Sequence, residues 1–160
     1  WKDTMSTKDL DPAYVAEQTG VVTGTLITDA PLEALAAQAS EDTLTRAMGA
    51  LVRFEGIVRD HDGGQSVATL AYEAHPSASG ELARVASEVA TAHPVRIYAA
   101  HRTGDVPIGE LAFLVLVASA HRGDAFTACA EVADRVKAEV PIWKKQGLTS
   151  GATQWVGIDE

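Results

Sequence analysis

Residues 109–145 read GELAFLVLVASAHRGDAFTACAEVADRVKAEVPIWKK, and most of the fold class follows from this stretch. Leu111–Ser119 is an almost unbroken apolar run of strand length, placed directly after the Gly109-Glu110 turn signal. After His121-Arg122-Gly123, helical spacing puts Phe126, Cys129, Ala133, Val136 and Val140 on one expected buried stripe. Pro141 disfavours helical geometry at Val140, so the helix is expected to stop there. Residues 142–146 then read as loop, and 154–158 as a closing strand.

Upstream, strands and helices alternate without internal repeats. Val21–Thr28 reads as a strand, and 32–39 as a short helix with Pro31 in its first turn. Residues 49–59 alternate, with Ala50, Val52, Phe54 and Val58 on one face and Arg53, Glu55 and Arg59 on the other. Asp60-His61-Asp62-Gly63-Gly64 is turn chemistry, and 67–73 supplies the returning strand. Ser79 is positioned to cap a helix carrying Leu82, Val85, Ala86 and Val89 at helical spacing. Pro94 closes that region, 95–101 returns as a strand, and 103–109 is a Gly- and Pro-punctuated loop. The expectation is an α+β domain, a mainly antiparallel sheet with helices packed across one face. Residues 1–20 read as a partly disordered N-terminal extension and 21–160 as one domain. Residues 1–4 precede Met5 and read as an appended remnant or the end of a longer natural chain.

The chain has 160 residues, enough to bury a core, and carries a formal charge of −9. So acidic a balance argues against general nucleic-acid binding, which needs a basic face. No apolar run is long enough to span a bilayer, and no basic-then-apolar leader opens the sequence, so a cytoplasmic location away from membranes is expected. Cys129 is the only cysteine, which excludes an internal disulfide and a multi-cysteine zinc site; in its Ala-rich setting it reads as a small buried residue. His61, His75, His93, His101 and His121 share no helical ligand spacing, and no metal site is expected.

Cations in so acidic a chain are informative where they gather. Arg59 ends one strand, His121-Arg122 joins another to a helix, Lys137 falls in that helix's last turn, and Lys144-Lys145 follow. An anion near the start of that helix would also meet unpaired backbone N–H groups. Taken singly, each residue has an ordinary reading. Lys137 complements a helix dipole, Lys144-Lys145 is a solvated pair, and Arg59 beside Asp60 and Asp62 is a surface ion pair. On composition and spacing, the chain is an α+β domain with a candidate anion pocket.

Several segments in order are more specific. Phe54-Glu55-Gly56-Ile57-Val58-Arg59, Ser119-Ala120-His121-Arg122 and the run Lys137-Ala138-Glu139-Val140-Pro141-Ile142-Trp143-Lys144-Lys145 together resemble the large, catalytic subunit of molybdopterin synthase. Tyr72-Glu73-Ala74 and His101-Arg102-Thr103-Gly104 match further family segments, and the likeness runs from Val21 to Val156.

The resemblance implies an α/β-hammerhead fold and a homodimer within a heterotetramer. Its partner would be a small ubiquitin-like sulfur-carrier subunit whose C-terminal Gly-Gly thiocarboxylate enters the pocket. The implied reaction transfers sulfur to cyclic pyranopterin monophosphate, a pterin phosphate, forming the molybdopterin dithiolene, with no cofactor or metal required. The family's pocket lysines fall on Lys137 and Lys144 as catalytic residues. Its substrate-binding positions fall on Ile57, Val58, Arg59, His121 and Arg122, with Lys145 and Gln146 continuing the Lys144 wall. Three departures stand out: Gln146 where the family usually has Glu, His75 where Tyr is common, and a short tail after Trp155. A non-catalytic homologue, or an anion-binding regulatory α+β domain, is the alternative.

Overall fold

The computed structural model describes residues 12–157. In chain order the elements are α1 (Pro12–Ala16), β1 (Val21–Thr28), a 3-10 turn at Leu32–Ala34, α2 (Ala36–Thr43), β2 (Ala50–Ile57), β3 (His61–Asp62), β4 (Gln65–Ala74), α3 (Ala78–Ala92), β5 (Val95–Arg102), β6 (Gly104–Asp105), β7 (Leu111–Ser119), α4 (Arg122–Glu139), β8 (Ile142–Leu148) and β9 (Thr153–Val156). They form two sheets. The first has the order β1-β5-β7-β2, antiparallel except for the parallel β1–β5 pair. The second runs β3-β4-β8-β9, with β6 also paired to β4. The expected mixed, mainly antiparallel architecture is present. Of the expected N-terminal extension, residues 1–11 lie outside the described residues, and α1 falls in the remainder.

The apolar run at β7 has a direct structural cause, because this strand is buried on both faces. Val115 and Val117 join Ile97, the α3 stripe (Leu82, Val85, Ala86, Val89) and Ala125, Ala128 and Val132 of α4 in the main core. Leu114 and Leu116 point the other way, into a second cluster with Leu32, Ala36 and Ala39. Helices therefore cover both faces of the first sheet, the two long ones on one side and the short α2 on the other. The expectation of helices on one face is corrected accordingly. The cause lies in strand alternation: a strand apolar at every position needs a cover on each side.

Three local expectations change. Ser77, not Ser79, is the N-cap residue of α3, and its backbone N–H and hydroxyl both meet His75 Nδ1, at 3.1 and 2.8 Å. The buried stripe of α4 is Ala125, Ala128, Cys129, Val132 and Val136, while Phe126 is exposed. Residues 142–146 are not loop but most of β8, which pairs antiparallel with β4 through Ile142↔Ala74, Lys144↔Tyr72 and Gln146↔Leu70. Pro141 ends the helix as expected, since Val140 is already extended. The partner strand lies about seventy residues upstream, so its ladder hydrogen bonds leave no trace in the local Trp-Lys-Lys-Gln pattern.

Candidate active site

The site lies where the two sheets meet, at the end of β2, the start of β7 and the last turns of α4. A cavity of about 350 Å³ opens there, a size suited to a small molecule. Ile57 and Arg59 reach it from the end of β2, Lys137 from the last turn of α4, and Ile142 and Lys144 from β8. Tyr72, His101 and Phe113 form its aromatic wall. Asp62 arrives on the β3–β4 hairpin, whose turn residues Gly63 and Gly64 both have positive φ, 56° and 77°. That pair is the two-glycine solution for a tight hairpin, where side chains would be strained.

Among the described residues the charged lining groups are Arg59, Lys137 and Lys144 against the single carboxylate Asp62. Two positive charges are left over in a chain whose total is −9. Asp62 Oδ1 is 3.4 Å from Arg59 and Oδ2 is 3.4 Å from Lys144 Nζ. Burial raises the Asp62 pKa, but the Gln146 amide, Lys144 and Arg59 outweigh it and hold the carboxyl below its ordinary value. Among the described residues Lys137 forms no ion pair, so its ammonium is available to an incoming anion.

His101 is 8% exposed and stacks between Tyr72 and Phe113, with ring centroids at 4.9 and 5.4 Å. Its Nδ1–H donates to the Arg102 carbonyl at 2.8 Å. Burial, opposed by that hydrogen bond, pushes its pKa down to about 4, so it is neutral near pH 7, with Nε2 as the acceptor. Burial likewise raises the Tyr72 phenol, helped by the Asp62 charge. Sequence reasoning did not single out Asp62, Tyr72 or His101 as site residues. Tyr72 and His101 sit in segments noted only for family likeness, and the Asp62 turn was read as turn chemistry alone.

The other sequence-expected residues are distributed as follows. Val58 is 3% exposed and packs with Leu70, Val106 and Ala112, so it supports the wall from behind. Gln146 shares the Lys144 face of β8, fully buried, and its Nε2 donates to Gln154 at 3.1 Å. Lys145 points to the opposite face, where its Nζ lies 5.6 Å from the Trp155 ring. The expectation that Lys145 extends the Lys144 wall is corrected by this alternation. His121 and Arg122 are exposed at the start of α4, whereas the cavity takes its residues from the helix end. Fifteen residues of helix separate Arg122 from Lys137, roughly 22 Å. One copy of the chain therefore does not bring His121 and Arg122 into the cavity.

Cys129 is buried in the helix core, its thiol pushed up to about 11 by burial, which is poor tuning for a nucleophile. Among the described residues no three His, Cys, Asp or Glu side chains converge as a metal-ligand set. No helix among them is long and apolar enough to cross a membrane.

Comparison with known proteins adds an independent line. Residues 27–139 match the family model described as MoaE protein. The chain is 46% identical over 107 residues to a molybdopterin synthase catalytic subunit of Oryza sativa subsp. indica, covering 66% of this chain and 55% of that protein. It thus spans about half the length of its rice relative. A crystal structure of molybdopterin synthase from Staphylococcus aureus superposes with a TM-score of 0.76 at 34% identity, covering 82% of this chain and 95% of that one. A complex of subunits 1 and 2 of molybdopterin-converting factor from Helicobacter pylori shares the fold, with a TM-score of 0.66 at 21% identity over 86% of this chain and 91% of that one.

Proposed function

The chain belongs to the MoaE protein family, and from that premise we propose that it is the catalytic subunit of a molybdopterin synthase. In this reading it is a sulfurtransferase acting in the cytoplasm. It moves sulfur from the C-terminal thiocarboxylate of a small ubiquitin-like subunit to cyclic pyranopterin monophosphate. The observation that carries the reading is the convergence of Lys137 and Lys144 on one cavity, from a helix end and from a strand, in an otherwise acidic chain. A pterin phosphate and a thiocarboxylate tail are both anions, and each needs such a local excess of positive charge.

The residues divide the work by position. Arg59 at the cavity edge holds phosphate, and the Tyr72–His101–Phe113 wall offers a flat apolar face to a pterin ring. Each transfer forms a carbon–sulfur bond to the pterin side chain as a carbon–oxygen bond at that carbon breaks, once by opening the cyclic phosphate and once by loss of water. Hydrolysis of the resulting thioester leaves the sulfur on the pterin and the tail as a carboxylate. Lys137 and Lys144 stabilise the negative charge that develops during sulfur attack and phosphate-ring opening, and exchange protons with the leaving oxygens. A contribution from His121 and Arg122 requires a second copy that presents its helix start to this cavity, in keeping with a homodimer carrying one small subunit at each end.

The test is incubation with the thiocarboxylated small subunit and the pterin precursor, followed by detection of the dithiolene product. Formation of product in stoichiometry with consumed thiocarboxylate is expected. Precursor that stays unconverted while the small subunit binds normally would favour the non-catalytic reading.

A further inference from the structure

Among the described residues Asp62 is the one acidic group lining the cavity, and it occupies the place an incoming anion would be expected to take. Its two oxygens are divided between the two cations, Oδ1 toward Arg59 and Oδ2 toward Lys144, each at 3.4 Å. The carboxylate is itself held from behind. Gln146, two residues along β8 from Lys144 and 1% exposed, donates an amide hydrogen to Gln154, and its amide also helps to hold the Asp62 carboxyl below its ordinary pKa. The Gly63-Gly64 turn fixes the hairpin that delivers Asp62, and Tyr72, opposite Lys144 in the ladder, closes the other side.

An isolated surface pair of this length would be worth little. Here one carboxylate meets both cations at once, and a buried amide on the same strand as the lysine favours its charged form, so it defines where the Lys144 ammonium sits. We propose that Asp62 is a positioning residue that aims Lys144 and Arg59 into the cavity, with Gln146 as the brace that holds it. The proposal rests on the sulfur-transfer reading only for its activity readout. Gln146 and Asp62 form a working pair in which the hairpin supplies the carboxylate and β8 supplies the amide.

A residue that aims a cation while opposing anions has a distinctive signature. In Asp62→Asn, precursor affinity measured by titration calorimetry should stay level or tighten, because a repelling charge has gone. Turnover should nevertheless fall about tenfold or more, because the ammonium is no longer held in register. Moving the carboxylate back to β8, in Asp62→Asn/Gln146→Glu, should recover part of that loss. Independently of activity, isotope-labelled reductive methylation gives an NMR signal for Lys144, identified by its disappearance in Lys144→Arg. That resonance should move in Asp62→Asn and return toward the parent position in the double variant.

Turnover within about twofold of the parent, or an unmoved Lys144 resonance, overturns the proposal. A parallel loss of affinity, turnover and thermal midpoint also overturns it, since that is what an ordinary structural residue gives. If the parent protein makes no dithiolene, the functional reading fails, and the Lys144 resonance still decides the position of Asp62.

Discussion

His101 meets Tyr72 edge to face, ring centroids 4.9 Å apart, inside the wall of the cavity. That contact holds an imidazole away from water, and its consequence is a pH dependence with a definite sign. Burial lowers the His101 pKa from 6.5 to about 4, so between those values the unfolded chain binds a proton that the folded chain refuses. Stability contributed by the neutral ring is full above about pH 6.5 and is lost as pH falls toward 4. The proton affinity gap corresponds to about 3 kcal/mol. His101→Phe lacks this term, so the stability advantage of parent over variant should shrink by about that amount between pH 7 and pH 4. Urea unfolding at a series of pH values checks it, and a pH-independent difference would show that His101 takes up its proton as readily in the fold as in the unfolded chain.

Lys137 is exposed, forms no ion pair among the described residues, and lies in the last turn of α4 beside the cavity. Lys137→Ala should therefore leave the thermal midpoint nearly unchanged, losing only a small favourable helix-dipole term of about 0.5 kcal/mol. Product formation should fall about a hundredfold or more if the ammonium stabilises the transition state. Single-turnover assays beside thermal melts separate the two effects. Near-parent turnover would return Lys137 to the role of a solvated lysine.

How much of this site the sequence disclosed depends on the kind of information each residue carries. The strand at 111–119 and the helix that ends before Pro141 are legible because apolar periodicity and proline geometry are local. Lys137 and Arg59 were legible as cations at element ends. β8 was not, because Ile142, Lys144 and Gln146 share a face that is only partly apolar, and their pairing with β4 is long-range. The misreading of β8 as loop hid the alternation that sends Lys145 away from Lys144. In sequence Asp62 is one more turn residue, and only the folded hairpin shows which cations it meets. Gln146 stood out by family resemblance, but its buried amide contacts became visible only in three dimensions.

Arg59 is largely exposed while its partner Asp62 is more covered, so salt should act on its contact with a ligand more than on the cavity itself. Arg59→Ala should weaken precursor binding by about tenfold at low ionic strength, in line with loss of a charge-assisted hydrogen bond. The parent should lose affinity as salt rises, and the variant should show a shallower salt dependence. Calorimetry across a salt series measures both slopes. Equal slopes and equal affinity would confine Arg59 to its surface pair with Asp62.

The separation of Arg122 from Lys137 along α4 gives the sharpest test of assembly. If both serve one site, the site must be built from two copies, because a straight helix of that length holds them roughly 22 Å apart. Sedimentation should then report a homodimer, and Arg122→Ala and Lys137→Ala should each be nearly inactive alone. Unfolded together in equal amounts and refolded, the two variants exchange partners. In a mixed dimer one shared site carries both defects, while the other pairs an intact Lys137 with an intact Arg122. Random pairing makes about half of the dimers mixed, so about a quarter of all sites should work again. Sites contained within single copies predict no recovery, since every one would keep one defect. Recovery near a quarter with a dimeric sedimentation coefficient would join His121 and Arg122 to the cavity. Absence of recovery from refolded mixed dimers would remove them from it and leave Arg59, Lys137 and Lys144 as its cations.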